Sequence, residues 1–350
     1  MADESIAVDV DPAHVIVVVP ALNEAQHIAD CLQSLASSDP FMANVRIVVA
    51  DGGSTDGTQA VVEELRDRCF PNLSLIDNLD RLQSAGLNAA VDRCAGPEHT
   101  ILVRCDAHAV YPEGYVRRVA AALEARPEAA SVATVMDARG ECCFARAAAW
   151  VVDTPLGSGG SAHRGGTRSG WVDHGHHAGF RLSWFRQIGG YDSSFSHNED
   201  AEYDVRLGRV GGRVWLAADI RLGYLMRDTP RKLARQYWNY GCGRARTVHK
   251  HHLRPKLRQL APAVNMLLLL LTGLWATLWP PALAYPLAYL MALAAVSLIG
   301  VVSLRSVCGV FAGPALGILQ MAWGAGFLSE RLAALRGSAH RPPNTSVSRS

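Results

Sequence analysis

Apolar residues fall along this chain in two regimes. Up to about Arg258 they come in short runs broken by polar or glycine-rich stretches, and beyond it they continue almost without charge to Glu330. In the first regime His14–Pro20, Arg46–Ala50, Leu73–Ile76 and Thr100–Asp106 are compact apolar runs, the first two rich in β-branched residues, the pattern of buried strands. Between them 25–35, 58–68 and 84–93 carry apolar residues at helical spacing, as does 117–126 before a further strand over 130–136. This alternation predicts an α/β fold with a Rossmann-like, mostly parallel sheet. Asp153–Gly170 reads as a loop, and so does the histidine-rich Trp171–Phe180. A glycine turn at 188–190 leads to a helix beginning at the acidic cluster 198–204, and Val214–Ala217 is a closing strand.

In the second regime 264–279, 282–304 and 307–328 are almost uncharged. A membrane span takes about 20 apolar residues, so the last two qualify and the first is short enough to be tilted or re-entrant. The expected layout is a disordered segment 1–13, a catalytic domain 14–230, basic and aromatic interfacial helices 231–262, a membrane domain 263–330 of two or three C-terminal transmembrane helices, and a polar tail 331–350. The basic stretch Lys250–Arg258 belongs on the cytoplasmic side. Arg331, Arg336 and Arg341 argue for the same side, whereas three full spans would put the tail opposite.

Composition narrows the partners. A net charge of +2 on 350 residues gives no reason to expect a nucleic-acid partner. The eight cysteines form no CxxC pair, so reduced thiols are expected. The acidic N-terminus lacks the layout of a signal peptide, which points to a cytoplasmic catalytic part.

The strand ends carry the candidate chemistry. Neither G-x-G-x-x-G nor G-x-x-x-x-G-K-[ST] occurs. Instead Asn23, Glu24, Asp51, Asp56 and Asp106 stand where an α/β sheet opens its ligand crevice. Carboxylates there suit a nucleotide whose diphosphate is neutralised by a cation. Asp106 and His108, two residues apart, face the same way in extended backbone and make half a site for a divalent ion; as ordinary turn residues they would merely cap the strand end. Gly52-Gly53 admits close approach of a ligand or simply turns the chain. His174, His176 and His177 have a spacing too weak for zinc and fit a loop lining the crevice. Glu199 and Asp200 read either as compensation of a helix dipole or as a general base. Arg231–Arg246 mixes basic and aromatic residues as an interfacial helix does.

Val15–Glu24, Asp51-Gly-Gly-Ser-Thr-Asp-Gly-Thr58 and the strand into Asp106 resemble glycosyltransferase family 2, over about residues 14–245. Arg104-Cys-Asp-Ala-His-Ala109 and the late apolar segments are similar to its bacterial succinoglycan-type exopolysaccharide glucosyltransferases. The resemblance implies the A-type nucleotide-sugar fold and an inverting transfer of a hexose, glucose from UDP-glucose, to a lipid-linked saccharide at a bacterial inner membrane. It implies donor binding by Pro20, Asn23, Glu24, Asp51, Gly53 and Asp106. The family's D-x-D motif is here Asp106-Ala-His108, whose imidazole suits Mn2+ better than Mg2+. Asn198-Glu199-Asp200 matches the motif whose aspartate is the base, making Asp200 the base and Glu199 the group that positions the acceptor. His176, Gln236, Trp238 and Tyr240 are expected near acceptor and membrane. Asn239 and Tyr240 replace the last two positions of the Q-x-x-R-W found in processive synthases, which favours single transfer. The competing expectations are transfer straight to a polyprenyl phosphate, and an inactive membrane scaffold for a synthase.

Overall fold

The structure, a computed structural model, describes residues 9–36 and 39–336. The expected disorder of 1–8 and the tail beyond 336 lie outside those residues. Residues 9–13 are ordered: Val10 is buried and the Asp11 carboxylate accepts the Ala13 N–H at 2.9 Å. The described residues form two compact units, those up to 137 with 161–224, and 138–160 with those from 225 onward.

The first unit is built on one sheet. Its strands and helices run β1 (Val15–Ala21), α1 (Ile28–Ala36), β2 (Arg46–Asp51), α2 (Thr58–Arg68), β3 (Leu73–Asp77), α3 (Gln83–Cys94), β4 (Ile101–Arg104), α4 (Tyr115–Glu124) and β5 (Ala129–Arg139). Two helices of the second unit follow, α5 (Cys143–Asp153) and the single turn α6 (Pro155–Ser158). The chain then returns through β6 (Gly170–Val172), β7 (His176–Arg181), α7 (Leu182–Gln187), α8 (Glu199–Arg209) and β8 (Arg213–Leu225). The strand order is β3-β2-β1-β4-β7-β5-β8-β6. β1 pairs in parallel with β2 and β4, and β2 with β3. β7 runs antiparallel between β4 and β5. Apolar residues of alternate pleats fill the two faces: Val15, Val17, Val19, Ile47 and Val49 on one side, Ile16, Val18, Val48 and Leu102 on the other.

The register decides where the polar strand ends meet. Ala21 pairs with Asp51 and Val18 with Arg104, so β1, β2 and β4 finish together and open one crevice at their carboxyl edge. The histidine-rich segment expected to be a loop differs: its second half is the central strand β7. His177, Ala178, Gly179 and Phe180 are all buried there. A Cβ on Gly179 would stand 2.5 Å from Val119 Cγ1, so only glycine lets α4 sit on the strand.

The second unit gathers α5 and α6, which a linear reading assigns to 14–230, with α9 (Pro230–Lys250), α10 (Leu257–Trp275), α11 (Ala284–Leu304) and α12 (Ala312–Leu335). The polar tail therefore begins as helix. Among the described residues three helical stretches, Leu257–Trp275, Pro280–Leu304 and Val307–Leu335, are long and apolar enough, by length and composition, to cross a membrane. Cys143 and Cys308, expected as free thiols, form a disulfide across 165 residues. Their distance in sequence hides the pairing, which the fold creates by bringing α5 against the turn before α12.

Candidate active site

The crevice begins with a loop that is held by its own polar groups. Asp51 is 1% exposed; its Oδ2 accepts the N–H groups of Gly53 and Ser54, both at 2.9 Å, and the Gln59 amide at 2.6 Å. Burial pushes this carboxyl up, but the hydrogen bonds from Gln59 and Ser54 outweigh it and hold the pKa below the usual carboxylate range. Asn23, in the left-handed region at φ 57°, joins the β1 end to this loop. Its N–H donates to Ser54 Oγ at 2.8 Å and its Oδ1 accepts the Thr55 N–H at 2.9 Å. The Glu24 N–H donates to Thr58 Oγ1 at 2.8 Å. Pro20 closes β1 beside them. Asn23, Glu24, Asp51 and Gly53 thus form one preorganised wall.

The floor is a cluster that packs a buried cation among carboxylates. Arg104, the last residue of β4, is 6% exposed. Its Nη1 donates to Asp200 Oδ1 at 2.8 Å and to the Tyr191 hydroxyl at 3.2 Å. Its Nε lies 3.6 Å from Asp106 Oδ1 and its Nη2 3.8 Å from Glu199 Oε1. Tyr191 in turn donates to Asp200 Oδ1 at 2.5 Å. His176 bridges the gap, with Nε2 3.8 Å from Asp106 Oδ2 and Nδ1 3.9 Å from Asp200 Oδ2. Burial and then the Arg104 charge push the His176 pKa down to about 4, so this ring is neutral at pH 7.

The two adjacent carboxylates at the start of α8 are shifted in opposite directions. Burial raises the Asp200 pKa, but Arg104 outweighs it, with His177 and the Tyr191 hydroxyl adding to the effect, and holds it far below the ordinary range. Burial, followed by repulsion from Asp200, pushes Glu199 up to about 7, against the Arg104 charge 3.8 Å away and its own backbone N–H, which favour the ionised form. Asp106 is likewise lifted by burial and more than restored by Arg104. Its Oδ1 accepts the Gln83 amide at 2.8 Å.

Of the three clustered histidines, only His176 faces the crevice carboxylates. His174 Nδ1 and His177 Nε2 lie 2.6 and 2.7 Å from the two oxygens of Asp204 on α8. Asp204 therefore latches the start of β7 to the helix that carries Glu199 and Asp200. His108, 56% exposed at its side chain, lies with Nδ1 3.2 Å from Glu24 Oε1. Among the described residues no three His, Cys, Asp or Glu side chains are grouped to hold a metal ion by themselves. Gln236, Trp238 and Tyr240 belong to the second unit, on α9, where the Gln236 amide donates to the Tyr240 hydroxyl at 3.0 Å. Trp238 lines a groove of about 540 Å³ with Arg235, Met266 and Met321.

Sequence reasoning missed Arg104, Tyr191 and Asp204. For Arg104 a signal existed: a charge inside an apolar strand run must find partners when buried. Tyr191 and Asp204 act through contacts 87 and 27 residues distant in sequence, which no local pattern announces.

The profile of glycosyl transferase family 2 matches residues 16–189. The succinoglycan biosynthesis protein ExoA of Rhizobium meliloti (strain 1021) is 38% identical over 331 residues, covering 91% of this chain and 94% of the relative. The dolichyl N-acetyl-alpha-D-glucosaminyl phosphate 3-beta-D-2,3-diacetamido-2,3-dideoxy-beta-D-glucuronosyltransferase of Methanococcus voltae is 26% identical over 243 residues, 67% of this chain and 74% of the relative. Among solved structures, a mannosyltransferase, PcManGT, from Pyrobaculum calidifontis in complex with GDP-Man and Mn2+ shares the fold. Its TM-score is 0.55 at 20% identity, over 93% of this chain and 89% of that one.

Proposed function

Because the chain belongs to glycosyl transferase family 2, we propose that it transfers a hexose, glucose from UDP-glucose, to a lipid-linked saccharide during exopolysaccharide assembly at the cytoplasmic face of a bacterial inner membrane. The observation that carries this reading is the cluster of Arg104, Asp106, His176, Glu199 and Asp200 at the carboxyl edge of the sheet, beside a preorganised loop. The 38% identity to a succinoglycan biosynthesis protein supports the polysaccharide context, and the name of the archaeal relative supports a lipid-phosphate-borne acceptor.

The loop of Asn23 and Gly53, shaped by the buried Asp51, receives the nucleoside, with Pro20 and Glu24 at its border. The donor set fits a divalent cation: Asp106 Oδ2 accepts no hydrogen bond among the described residues, and the His108 ring is exposed at the crevice. Asp106 and His108 would hold Mn2+, or Mg2+, with phosphate oxygens and water as further ligands. Such an ion, when bound, offsets the charge of the departing diphosphate.

In the transfer the acceptor hydroxyl oxygen forms a bond to the sugar's anomeric carbon while the bond from that carbon to the diphosphate breaks. The proton passes to a carboxylate, and a single displacement inverts the anomeric centre. We assign the proton to Asp200. Its ion pair with Arg104 keeps it ionised at every physiological pH, at the expense of basicity. Glu199 positions the acceptor. A second reading exchanges these roles, favoured by the one observation that Glu199, more distant from Arg104 than Asp200 is, is pushed up to about 7 by burial and by its neighbour.

The full chain, purified in detergent with a lipid extract from an exopolysaccharide-producing bacterium, is expected to release UDP from UDP-glucose with Mn2+ and to stop on chelation or in Asp106→Ala. Release from a different nucleotide sugar would correct the donor and keep the mechanism. No release from any donor would contradict the proposal.

A further inference from the structure

We infer that the apolar helices of the second unit lie along one face of the bilayer and enter it from that face alone, in place of the two or three crossings their composition implies. The contacts that lead there lie within this unit. α5 and α9 are tied directly to the sheet strands: residues 140–142 separate β5 from α5, and 226–229 separate β8 from α9. With Arg231, Lys232, Arg235, Arg244 and Arg246 along its length, α9 is too charged to cross. Both helices therefore mark the side from which the chain reaches the membrane.

Each end of α12 is bound to one of these markers. Near its start, Cys308 is disulfide-bonded to Cys143 of α5, and the rings of Phe311 and Phe144 meet edge to face at 6.3 Å. Its other half runs along α9, where Cys242 Sγ donates to Gly326 O at 3.3 Å and Arg246 Nε donates to Glu330 Oε1 at 2.9 Å. A helix of 24 residues, about 36 Å long, with both ends on the same side does not cross.

The same reasoning binds α11. It ends four residues before Cys308. Its start lies beside the middle of α12, with the Tyr289 hydroxyl 2.9 Å from Gln320 Oε1, and beside early α10, where the Tyr285 hydroxyl donates to Asn265 Oδ1 at 2.8 Å. That level of α12 and α10 is also where α9 packs: Arg235 and Trp238 share one groove with Met266, Ile318 and Met321. α11 therefore lies antiparallel along α12, with Gly313 against Leu293 and Gly300 against Gly309. Its free face carries Leu287, Met291, Leu298 and Val302, 55–76% exposed, at helical spacing. Hydrocarbon is the partner this face fits. The distal part of α10, with Leu270, Leu274, Trp275, Leu278 and Trp279 exposed, dips in and returns.

Charge placement agrees independently. Lys250–Arg258, Arg305, Arg331 and Arg336 stand at the helix ends, and 259–304 contains no charged residue. One side for all of them obeys the positive-inside rule, which three crossings would break.

Single cysteines introduced at Thr277, in the α10–α11 connection, at Ser306, in the α11–α12 connection, and at Arg336, after α12, test this in the full chain expressed in a Gram-negative host. The native free cysteines, all before α10, report leakage of the reagent. A membrane-impermeant maleimide on intact spheroplasts is expected to reach none of these sites, and to reach Arg336→Cys after lysis. An Asn265→Cys/Tyr285→Cys pair is expected to cross-link under oxidant, which verifies the packing in the folded protein. Labelling of Thr277→Cys from outside would show a crossing hairpin of α10 and α11, labelling of Ser306→Cys one of α11 and α12, and labelling of Arg336→Cys three spans; any of these overturns the inference.

Discussion

A guanidinium within 4 Å of three carboxylates, as Arg104 is with Asp106, Glu199 and Asp200, sets the charge state of everything around it. Because it holds the Asp200 pKa far down, kcat/KM is expected to show no acid limb from this base between pH 5 and 9. A rate that climbs through about pH 7 would transfer the role to Glu199. Correspondingly, Asp200→Asn should lower kcat by about 10² to 10⁴, the usual contribution of a general base, and Glu199→Gln should act mainly on the acceptor KM. Arg104→Met removes the charge that depresses Asp200. The aspartate's pKa then rises, it is protonated at higher pH, and an acid limb should enter the accessible range. The same variant leaves buried carboxylates unpaired, so a thermal melt should register a loss of about 3–5 kcal/mol.

Elements differ in how openly the sequence announces them. β1, β2 and β4 were legible because apolar runs bounded by turn residues have few other uses, and their common ends place Asn23, Asp51 and Asp106 on one edge. β7 was not: its histidines look like crevice lining, yet His177 is buried on Asp204 and Gly179 is there for α4. Asp204→Ala should free the start of β7 and lower kcat through His176, with donor affinity nearly unchanged; equal loss of binding and turnover would mean general unfolding instead. Helix packing in the second unit rests on small residues that no periodicity flags. A Cβ on Gly326 would meet the Trp238 carbonyl oxygen at 2.2 Å, and one on Gly241 the Trp323 carbonyl oxygen at 2.2 Å. Gly326→Val should therefore destabilise the α9–α12 contact by about 1–3 kcal/mol, read as a lower melting temperature in detergent.

At the scale of the whole molecule, fold class and family were readable because the Asp51 loop and the strand into Asp106 are local in sequence. The grouping of α5 with the late helices, and the return of α12 to α9, depend on contacts such as Cys143–Cys308 and Arg246–Glu330, which composition does not encode. Under the proposed function the acceptor is itself held in the membrane, where confinement to one surface raises its effective concentration. The most direct test follows radiolabelled sugar from the nucleotide donor into the organic-solvent phase of a membrane preparation containing the full chain. Label is expected in a lipid-linked saccharide that carries one hexose more than the acceptor, and is absent with Asp200→Asn. Label confined to water-soluble products, or lipid labelling unchanged in Asp200→Asn, would contradict it.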